Sequence, residues 1–562
     1  MIMNKKILPA VILLSCGRCL SAQEPAATLT DWSSYRLMDA VQTLRRTHNA
    51  AALSVDTFAT RGFAQFGFVH SADGFHRVQE GTGGNALHFQ TERYQSIGQK
   101  LVAYGRFDFD YGHVRNRAWC DVRNAYDGNP YFAGSRGAGS YDNMDFSLTA
   151  ALGTVEFSGW RFGGQLDYGV GDLSRLRDPR SRSEMLDYRI APSVSYSVGR
   201  QTIGIDAHYR RRKEKIPNMT TVQQDPNLVY YQFYGLGEAV GTVGGYSGFQ
   251  REWVNHEFGA ELSYETNGTN ETNGSNETNG TNEANGTNET NETNGTNKKK
   301  WESLSTISIA RGAEDAWGQY KFSPGHYTSY IYKAASRHRF SRGRLLHSLD
   351  LEAQWQQAYA DEYRQQLIQE KDPDRGYTSY RYDTQITYRK RQQLTTVDAS
   401  LHYRLNILAQ TAALSQQGAA NTATPAVVGY LGLQAAFSGS DTKHLLPSSE
   451  LDHQRLNFTL EGGYGLLRNR LWLDATVTYS HATKARLNLA DNTTEIARQV
   501  LLPDMAYYDA DYFRGQLSAK YLFPLTLKGH RSLFYVKAYG DIVSARHAQN
   551  RNAIGLSLGL YN

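Results

Sequence analysis

The chain has few of the residues that hold many exported or multidomain proteins together. Its 562 residues include only 3 Cys, 13 Pro and 7 Met. Only Cys120 lies beyond the N-terminal signal described below, so a framework of internal disulfides is excluded. No linker rich in Pro and Gly separates stretches of different composition, so the sequence does not indicate a division into several domains.

Long apolar runs and a dominant charge are also missing. No apolar stretch approaches the roughly 20 residues of a membrane helix, and the mean hydropathy is −0.56. The net charge of +5 is small for this length and has no central basic block, so a nucleic-acid partner is not implied. Zinc-protease, Cys-x-x-Cys, Gly-x-Ser-x-Gly and phosphate-loop motifs are absent from the sequence. We therefore predict no enzyme activity and no cofactor.

What the chain does have at its start is an export signal. Lys5 and Lys6 precede a short apolar core over 7–14 and then small residues, which is the pattern of a secretory signal. Cleavage after Ala22 is preferred. The alternative is a lipoprotein signal that leaves Cys16 lipidated, because the residues before Cys16 resemble a lipobox.

From there to the end, segments of about ten residues alternate between apolar and polar side chains. The clearest is 471–480, LWLDATVTYS. Successive strand residues point to opposite faces, so one face is apolar and the other polar. A soluble sandwich has the same alternation. The difference lies in tyrosines at strand ends, which share the apolar parity: Tyr111, Tyr209, Tyr264, Tyr403, Tyr464, Tyr479 and Tyr521. Such rings are typical of a lipid–water interface, so we predict an all-β fold, a transmembrane antiparallel β-barrel of about 16–18 strands.

Charged and histidine side chains of these segments fall on the polar parity. A Lys or Arg at mid-depth on a lipid-facing surface costs roughly 2–4 kcal/mol, so these residues are expected to face the lumen. The candidate lumen-facing residues are Arg106, Asp108, Asp206, His208, Arg210, Glu261, Asp398, His402, Arg404, Asp474 and Lys520. Their mixed signs suit a hydrated lumen without strong ion selectivity. Two His–Asp pairs among them, His208 with Asp206 and His402 with Asp398, are what any charged lumen produces by chance.

Short and long connections alternate between the predicted strands. Short ones lie at 199–201, 342–343 and 468–470, and long ones at 112–142, 211–255, 357–376 and 482–510. Short turns are expected on the periplasmic side and long loops outside.

Within one of the long loops, the stretch 119–132 contains Asp121 and Asp127 among aromatic residues. It is either a ligand or Ca²⁺ site or, as its aromatics favour, a self-packed extracellular loop. The alternation of short and long connections fails once, between Lys390 and His453, so one strand there is missed or invented.

A repeat of the type ETNGTN fills the chain from 265 to 297. It has no apolar residue larger than Ala and cannot bury enough surface to offset the entropy of ordering, so we predict disorder. Strand parity puts it on the periplasmic side. The predicted organisation is a signal peptide over 1–22, an N-terminal periplasmic segment with a possible short helix over 23–60, an outer-membrane barrel over 61–562, and a low-complexity disordered insert over 265–300.

Several segments carry a family resemblance. The stretches 74–81 (GFHRVQEG), 91–98 (TERYQSIG) and 104–108 (YGRFD) resemble a family of outer-membrane β-barrel proteins of about 500 residues from Bacteroidota, known only as a domain of unknown function. The resemblance implies a multi-pass protein of the bacterial outer membrane and offers no functional residues. The final stretch, 554–562, is a strand similar to the C-terminal signal read by the barrel-assembly machinery, although Asn562 follows the usual aromatic position.

Three functions are compatible with these predictions. The first is porin-like or facilitated passage of a small solute. The second is a non-conducting surface barrel whose extracellular loops bind a partner or ligand, and the third, which the absence of a motif disfavours, is a barrel-wall hydrolase. The segment before the barrel is too short for the plug of a TonB-coupled receptor. The expected partners are outer-membrane lipid, the barrel-assembly machinery and a small solute, without nucleic acid.

Overall fold

A computed structural model describes residues 49–55, 61–217, 219, 229–243, 250–270, 299–318, 322–371, 378–410, 425–527, 530–546 and 549–561. The predicted signal peptide, the possible helix within 23–60 and residues 271–298 of the repeat lie outside this part of the chain. No helix among the described residues is long and apolar enough to cross a membrane.

Most of the described residues are in β-strands. The strands are β1 (Arg61–Asp73), β2 (Gly83–Ile97), β3 (Leu101–Arg117), β4 (Ala133–Ser135), β5 (Gly139–Thr154), β6 (Trp160–Arg175), β7 (Arg182–Val198), β8 (Gln201–Ile216), β9 (Val229–Gly235), β10 (Glu238–Val243), β11 (Arg251–Asn270), β12 (Lys299–Trp317), β13 (Gly325–Arg342), β14 (Leu345–Lys371), β15 (Thr378–Gln410), β16 (Pro425–His444), β17 (Ser449–Leu466), β18 (Leu471–Asn488), β19 (Tyr512–Leu527), β20 (His530–Ala545) and β21 (Arg551–Tyr561). Three short helices complete the description: a 3-10 helix Ala50–Val55, a π-helix Ala497–Leu501 and an α-helix Leu502–Tyr508.

Eighteen of these strands form one closed antiparallel barrel. Each barrel strand pairs with the next one along the chain, and the last, β21, pairs with both β20 and β1. The closed part of the sheet therefore has no free edge, as a bilayer demands. The prediction of an antiparallel barrel of 16–18 strands is confirmed. The short strands β4, β9 and β10 form a separate sheet.

The alternation predicted from the sequence sets the two faces of the barrel wall. In β19, Phe513, Leu517 and Tyr521 are 57%, 68% and 44% exposed. On the other face of the same strand, Arg514 donates to Asp541 over 3.1 Å. Soluble monomers rarely expose a continuous apolar surface of this extent. The outer face is thus built for acyl chains, and the inner face holds the polar side chains.

Aromatic side chains mark the two borders of the apolar face. Tyr264 and Trp301 are exposed at the end of the barrel next to the repeat, where β11 ends and β12 begins. Tyr111 is exposed at the opposite end of the wall, and Tyr479 packs on Phe513 there with ring centroids 4.8 Å apart. Amphipathic rings at both borders are typical of a membrane interface.

The barrel has a short-turn end and a long-loop end. At the short-turn end, two-residue turns join β7 to β8 and β13 to β14, with Gly199 at φ 59° and Gly343 at φ 58°. Positive φ is what tight hairpins require, and glycine adopts it without strain. The predicted short turns at 199–201, 342–343 and 468–470 are confirmed. The repeat joins β11 to β12 at this same end, where β1 starts and β21 stops.

Two expectations about the second half of the barrel are wrong. The stretch 357–376 was expected to be a connection, but β14 continues to Lys371 and β15 starts at Thr378. The phase of the alternation is lost near Lys390 because β15 is a single strand of 33 residues that contains a bulge. Lys390 has φ 52°, and the pairing with β14 shifts on either side of Glu362. A bulge moves all later side chains to the opposite parity.

Strand ends also extend into other predicted connections. β3 runs to Arg117, β8 to Ile216 and β18 to Asn488. At the repeat, β11 includes Glu265–Asn270, which pair with Leu304–Lys299 of β12. Both ends of the insert predicted over 265–300 therefore belong to strands of the barrel wall.

The hairpin of β14 and β15 reaches past its neighbours. β13 pairs with β14 only as far as Glu362, and β16 pairs with β15 only from Gln392. Beyond these points the two strands pair only with each other, up to Lys371 and Thr378. This part of the hairpin stands clear of the barrel at the long-loop end.

A short segment before the barrel closes part of the interior. Residues 49–55, here named the floor segment, contain the 3-10 helix and pack against β3, β5, β6 and β7. The backbone N–H of Ala51 donates to Ser193 Oγ over 3.1 Å. Gly163 allows this approach, because a Cβ there would lie 2.3 Å from the Ala51 nitrogen.

We expect Gly163→Ala to displace the floor segment. The added methyl group meets backbone that has no room to move, and overpacking of this kind costs about 1–3 kcal/mol. The urea midpoint of the refolded barrel, followed by tryptophan fluorescence, should fall. Gly164→Ala is the matched control, since a Cβ at Gly164 meets nothing within 4 Å. Equal losses in the two variants would contradict this role of Gly163.

Candidate functional site

The barrel interior contains a polar cavity above the floor segment. The cavity, here named the chamber, has a volume of about 830 Å³ and is bounded by Asn49 and Leu53 below and by Arg123 above. Its wall comes from β2 to β13. Its charged side chains are Arg106, Arg123, Arg189, Arg210 and Lys333 together with Asp108, Asp145, Asp167, Asp187, Asp206, Glu257 and Glu261.

The structure brings together six of the eleven residues predicted to face the lumen. Arg106, Asp108, Asp206, His208, Arg210 and Glu261 all line the chamber. Asp398 lines an adjoining cavity of about 620 Å³, which also includes Glu261. The two cavities share Glu261, Ser308 and Lys333 and extend along the inner wall from β2 to β17.

The other four predicted residues lie farther round the wall, on its inner face. His402 Nε2 is 3.1 Å from Glu461 Oε1, and Arg404 shares the same carboxylate at 3.5 Å. Asp474 accepts from the Tyr430 hydroxyl over 2.9 Å. In β19, Lys520 Nζ lies 3.0 Å from the hydroxyl oxygen of Tyr561. These residues form local pairs and line neither the chamber nor its neighbour.

Most charges of the chamber are paired across strands or along one strand. Arg106 Nε donates to Asp108 over 2.7 Å, and Arg210 Nε donates to Asp187 over 2.9 Å. His208 Nε2 lies 3.4 Å from Glu257 Oε1, so its nearest carboxylate partner is a glutamate of β11. Opposed charges at these distances hold the side chains in place and leave the chamber walls polar.

Three loops from the long-loop end close over the chamber. They are residues 118–138, the hairpin of β9 and β10, and residues 489–511, and together they are here named the cap. The Arg123 backbone N–H donates to Glu214 of β8 over 2.8 Å, and Tyr131 Oη donates to the carbonyl oxygen of Asp361 in β14 over 2.7 Å. The first loop leaves the wall between β3 and β5, so it crosses much of the barrel mouth.

Aromatic contacts join the three loops into one body. Phe132 stacks on Phe233 with centroids 4.2 Å apart, and Trp119 packs on Tyr231 at 4.8 Å. Trp119 and Phe233 belong to the same apolar cluster as Ile496 of the third loop. The cap is therefore a small apolar core of its own, set on a polar chamber.

Within the cap, the segment 119–132 is held by contacts with the strands and loops around it. Asp121 is buried and accepts from the hydroxyls of Ser135 and Tyr141, both over 2.6 Å. Asp127 lies 3.4 Å from Arg212. Burial raises the pKa of the neighbouring Cys120 thiol. Of the two interpretations of this loop, these contacts favour a packed aromatic loop over a ligand or Ca²⁺ site, although its packing partners lie outside the segment.

One buried carboxylate connects the cap to the first loop of the barrel. Asp504 Oδ1 accepts from the Val78 backbone N–H over 2.7 Å, and Oδ2 accepts from the Tyr126 hydroxyl over 3.1 Å. The Arg77 guanidinium lies 3.5 Å from the centre of the Tyr126 ring. Burial raises the pKa of Asp504 to about 6, although these hydrogen bonds and Arg77 oppose the rise.

We expect the cap to be most firmly closed in acid. An exposed Asp has a pKa near 3.9, so the closed cap binds the Asp504 proton more tightly than the open one. Stability from this source is present below about pH 4 and is lost as the pH rises to about 6, by on the order of 3 kcal/mol. Hydrogen exchange of the cap amides, corrected for intrinsic rates, should be slower at pH 5 than at pH 7.5.

Two variants test whether Asp504 is the source. Asp504→Asn should remove the pH dependence, because the asparagine side chain does not titrate. Asp491→Asn changes a fully exposed carboxyl of the same loop and should leave the dependence intact. A pH dependence that survives in Asp504→Asn would assign it to another group.

One group of carboxylates has spacing suited to a metal ion. One oxygen from each of Asp441, Glu450 and Asp452 lies within 4.8 Å of the others. Lys443 lies 2.8 Å from Asp441, and Lys484 and Arg486 pair with Asp452 and Glu450 respectively. Because three cations already balance the three carboxylates, the group is an ion-pair network at the long-loop end.

Sequence reasoning missed the residues that hold the cap. Arg117, at the end of β3, is buried and donates to the carbonyl oxygens of Gln79, Val122 and Arg123 over 3.1, 2.6 and 3.0 Å. The signal that was present was the density of aromatic residues in 119–132. It indicates a packed loop but does not reveal what the loop packs against.

Comparisons with solved structures find similar barrels. The chain is similar to the outer membrane transporter YddB from Escherichia coli, at 8% identity over 88% of this chain and 80% of that chain, with a TM-score of 0.37. It is also similar to the copper transporter OprC, at 8% identity over 90% and 80% with a TM-score of 0.36, and to the FrpB iron transporter from Neisseria meningitidis, at 9% identity over 91% and 83% with a TM-score of 0.35.

Comparison by sequence gives a family and no characterised relative. A search of curated proteins finds no significant match. The profile of one protein family matches residues 50–562, which is the floor segment and the whole barrel. The chain therefore belongs to that family, a family of unknown function (DUF6850).

Proposed function

We propose that this protein spans the bacterial outer membrane and lets a small polar solute pass through its interior under the control of the cap. The observation that carries the proposal is the chamber: a polar cavity of about 830 Å³ enclosed by a wall with an apolar outer face. Passage by a single closed barrel needs such a hydrated path. The sequence resemblance supports a host among the Bacteroidota, and the N-terminal pattern supports export by a signal peptide.

The interior supports a small, polar cargo. Paired charges along the wall, such as Arg106 with Asp108 and Arg210 with Asp187, stay hydrated on a lumen face. The floor segment and the cap narrow the path at its two ends. A wide general pore does not fit this arrangement, whereas a narrow and selective path does.

The cap favours a second candidate, a barrel that does not conduct and whose outer loops bind a partner. The cap is joined by stacked aromatics and buried hydrogen bonds, such as those of Asp121. A barrel that must open would have to break them. This candidate places the function on the outer surface of the cap and not in the chamber.

Single-channel recording in planar bilayers separates the two candidates. The protein is refolded in detergent, and its fold is checked by the shift in gel mobility on heating. Discrete conductance steps, more frequent at pH 7.5 than at pH 5, support gated passage. A correctly folded barrel that gives no steps at either pH removes the passage proposal and leaves the surface-binding one.

A further inference from the structure

Two acidic side chains of the chamber face each other across neighbouring strands. Asp206 of β8 and Glu261 of β11 are direct partners in the antiparallel pairing, and both line the chamber. Like charges in directly opposed positions destabilise a sheet. A cation placed between them removes that repulsion.

Asp206 also lacks the hydrogen bonds that a buried carboxylate needs. Its side chain is only 2% exposed, and neither carboxylate oxygen has a hydrogen-bond donor within the described part of the chain. Arg189 approaches to 3.9 Å, beyond hydrogen-bond range, and lies nearer to Asp167 at 3.4 Å. Glu261 Oε1 is likewise buried without a donor. Buried acceptors in native proteins are almost always satisfied, so these three oxygens point to an absent donor.

The charge of the chamber decides the sign of the missing group. Seven acidic and five basic side chains line it, counting histidine as neutral. Asp108 and Asp187 have arginine partners within 3 Å. The five basic side chains include Lys333 and Arg189, so the chamber has an excess of two carboxylates. The group that completes the site is therefore a cation.

The number and kind of acceptors favour an organic ammonium over a metal ion. Ca²⁺ takes six to eight oxygen ligands and Mg²⁺ requires near-ideal octahedral geometry, whereas this site offers two carboxylates. A primary ammonium has three N–H donors, and the site has three acceptors without donors: both oxygens of Asp206 and Oε1 of Glu261. The chamber is large enough for a small organic molecule.

We infer that Asp206 and Glu261 bind the primary ammonium group of a small organic cation. The inference rests on the proposed function, because the cation reaches the chamber by the path described there. Each N–H donor meets a carboxylate oxygen, and the two opposed charges are neutralised by one ligand. The charged side chains along the wall therefore comprise a cation-binding site and a set of structural ion pairs.

Calorimetric titration of the refolded full chain in detergent tests the site. The probe is 1,4-diaminobutane at low ionic strength. We expect saturable binding to the wild type and at least a tenfold loss of affinity in Asp206→Asn and in Glu261→Gln. Glu184→Gln is the matched control, because Glu184 is an exposed carboxylate of β7. This variant should bind the diamine with the affinity of the wild type. Equal binding by the wild type and both chamber variants overturns the inference.

Two further ligands test the chemistry. Tetramethylammonium has no N–H donors and should not bind at concentrations that saturate with the diamine. Calcium chloride distinguishes a metal site: Ca²⁺ binding that is lost in both variants, together with no binding of the diamine, overturns the assignment to an ammonium. Heat-dependent gel mobility confirms that each variant is folded, and the neutral variants should be no less stable because a like-charge pair is removed.

The two proposals fail separately. Binding of the diamine without any conductance in bilayers retains the site and removes passage. Conductance without binding of the diamine retains passage and removes the ammonium site.

Discussion

Leu517→Arg should make folding into lipid vesicles less favourable by about 2–4 kcal/mol, because it places a charge on the acyl-chain face of the wall. Leu517 is 68% exposed and lies midway along β19 between Phe513 and Tyr521, which mark the borders of the apolar face. From that depth the arginine cannot easily reach either interface. A penalty of this size reduces the ratio of folded to unfolded protein by a factor of about 30 to 1,000.

Ser518→Arg is the matched control for this prediction. Ser518 is the next residue along β19 and points to the inner face, where its hydroxyl lies 3.4 Å from Asp474. An arginine there enters a polar interior and gains a carboxylate partner. Urea titration of both variants in vesicles of saturated phosphatidylcholine measures the difference. Equal penalties at the two positions would contradict the assignment of inner and outer faces.

Arg117→Met should open the cap and raise the conductance of the barrel several-fold. The change keeps the apolar stem of the side chain but leaves the carbonyl oxygens of Gln79 and Arg123 without the donor Arg117 supplies, while Val122 keeps the Cys120 thiol. Each acceptor left unpaired costs about 1–3 kcal/mol, so closing the cap loses about 2–6 kcal/mol in all. Loop 118–138 then no longer holds its position across the barrel mouth.

Arg136→Met serves as the control within the same loop. Arg136 is half exposed and pairs with Glu495 at 2.8 Å, and an exposed ion pair contributes about 0–1 kcal/mol. Its conductance and the hydrogen exchange of its cap should stay near those of the wild type. If Arg117→Met leaves both quantities unchanged, Arg117 does not hold the cap closed.

The wall of the barrel could be predicted from the sequence because its determinants are local. Alternation fixes which side chains of a strand share a face, so the outward positions of Leu473, Phe458 and Ile554 were readable from their neighbours alone. The prediction lost its phase where the local rule is broken. The bulge at Lys390 in β15 has no glycine or proline to signal it.

The interior could be predicted only in part, because its contacts join residues far apart in the chain. Arg106 and Asp108 are two residues apart, so their shared face was readable. Asp206 and Glu261 pair across strands that are separated by the β9–β10 hairpin, and the sequence gives no sign that they face each other. The cap depends on contacts of still longer range, such as that of Tyr126 with Asp504. Alternation carries no information about how loops fold inward.

The projecting hairpin of β14 and β15 determines which part of the barrel other molecules meet first at its long-loop end. Its free portion, from 363 to 371 and back from 378, is about 30 Å long at roughly 3.3 Å per residue. A macromolecule that approaches the long-loop end along the barrel axis therefore touches this hairpin before it touches the rim.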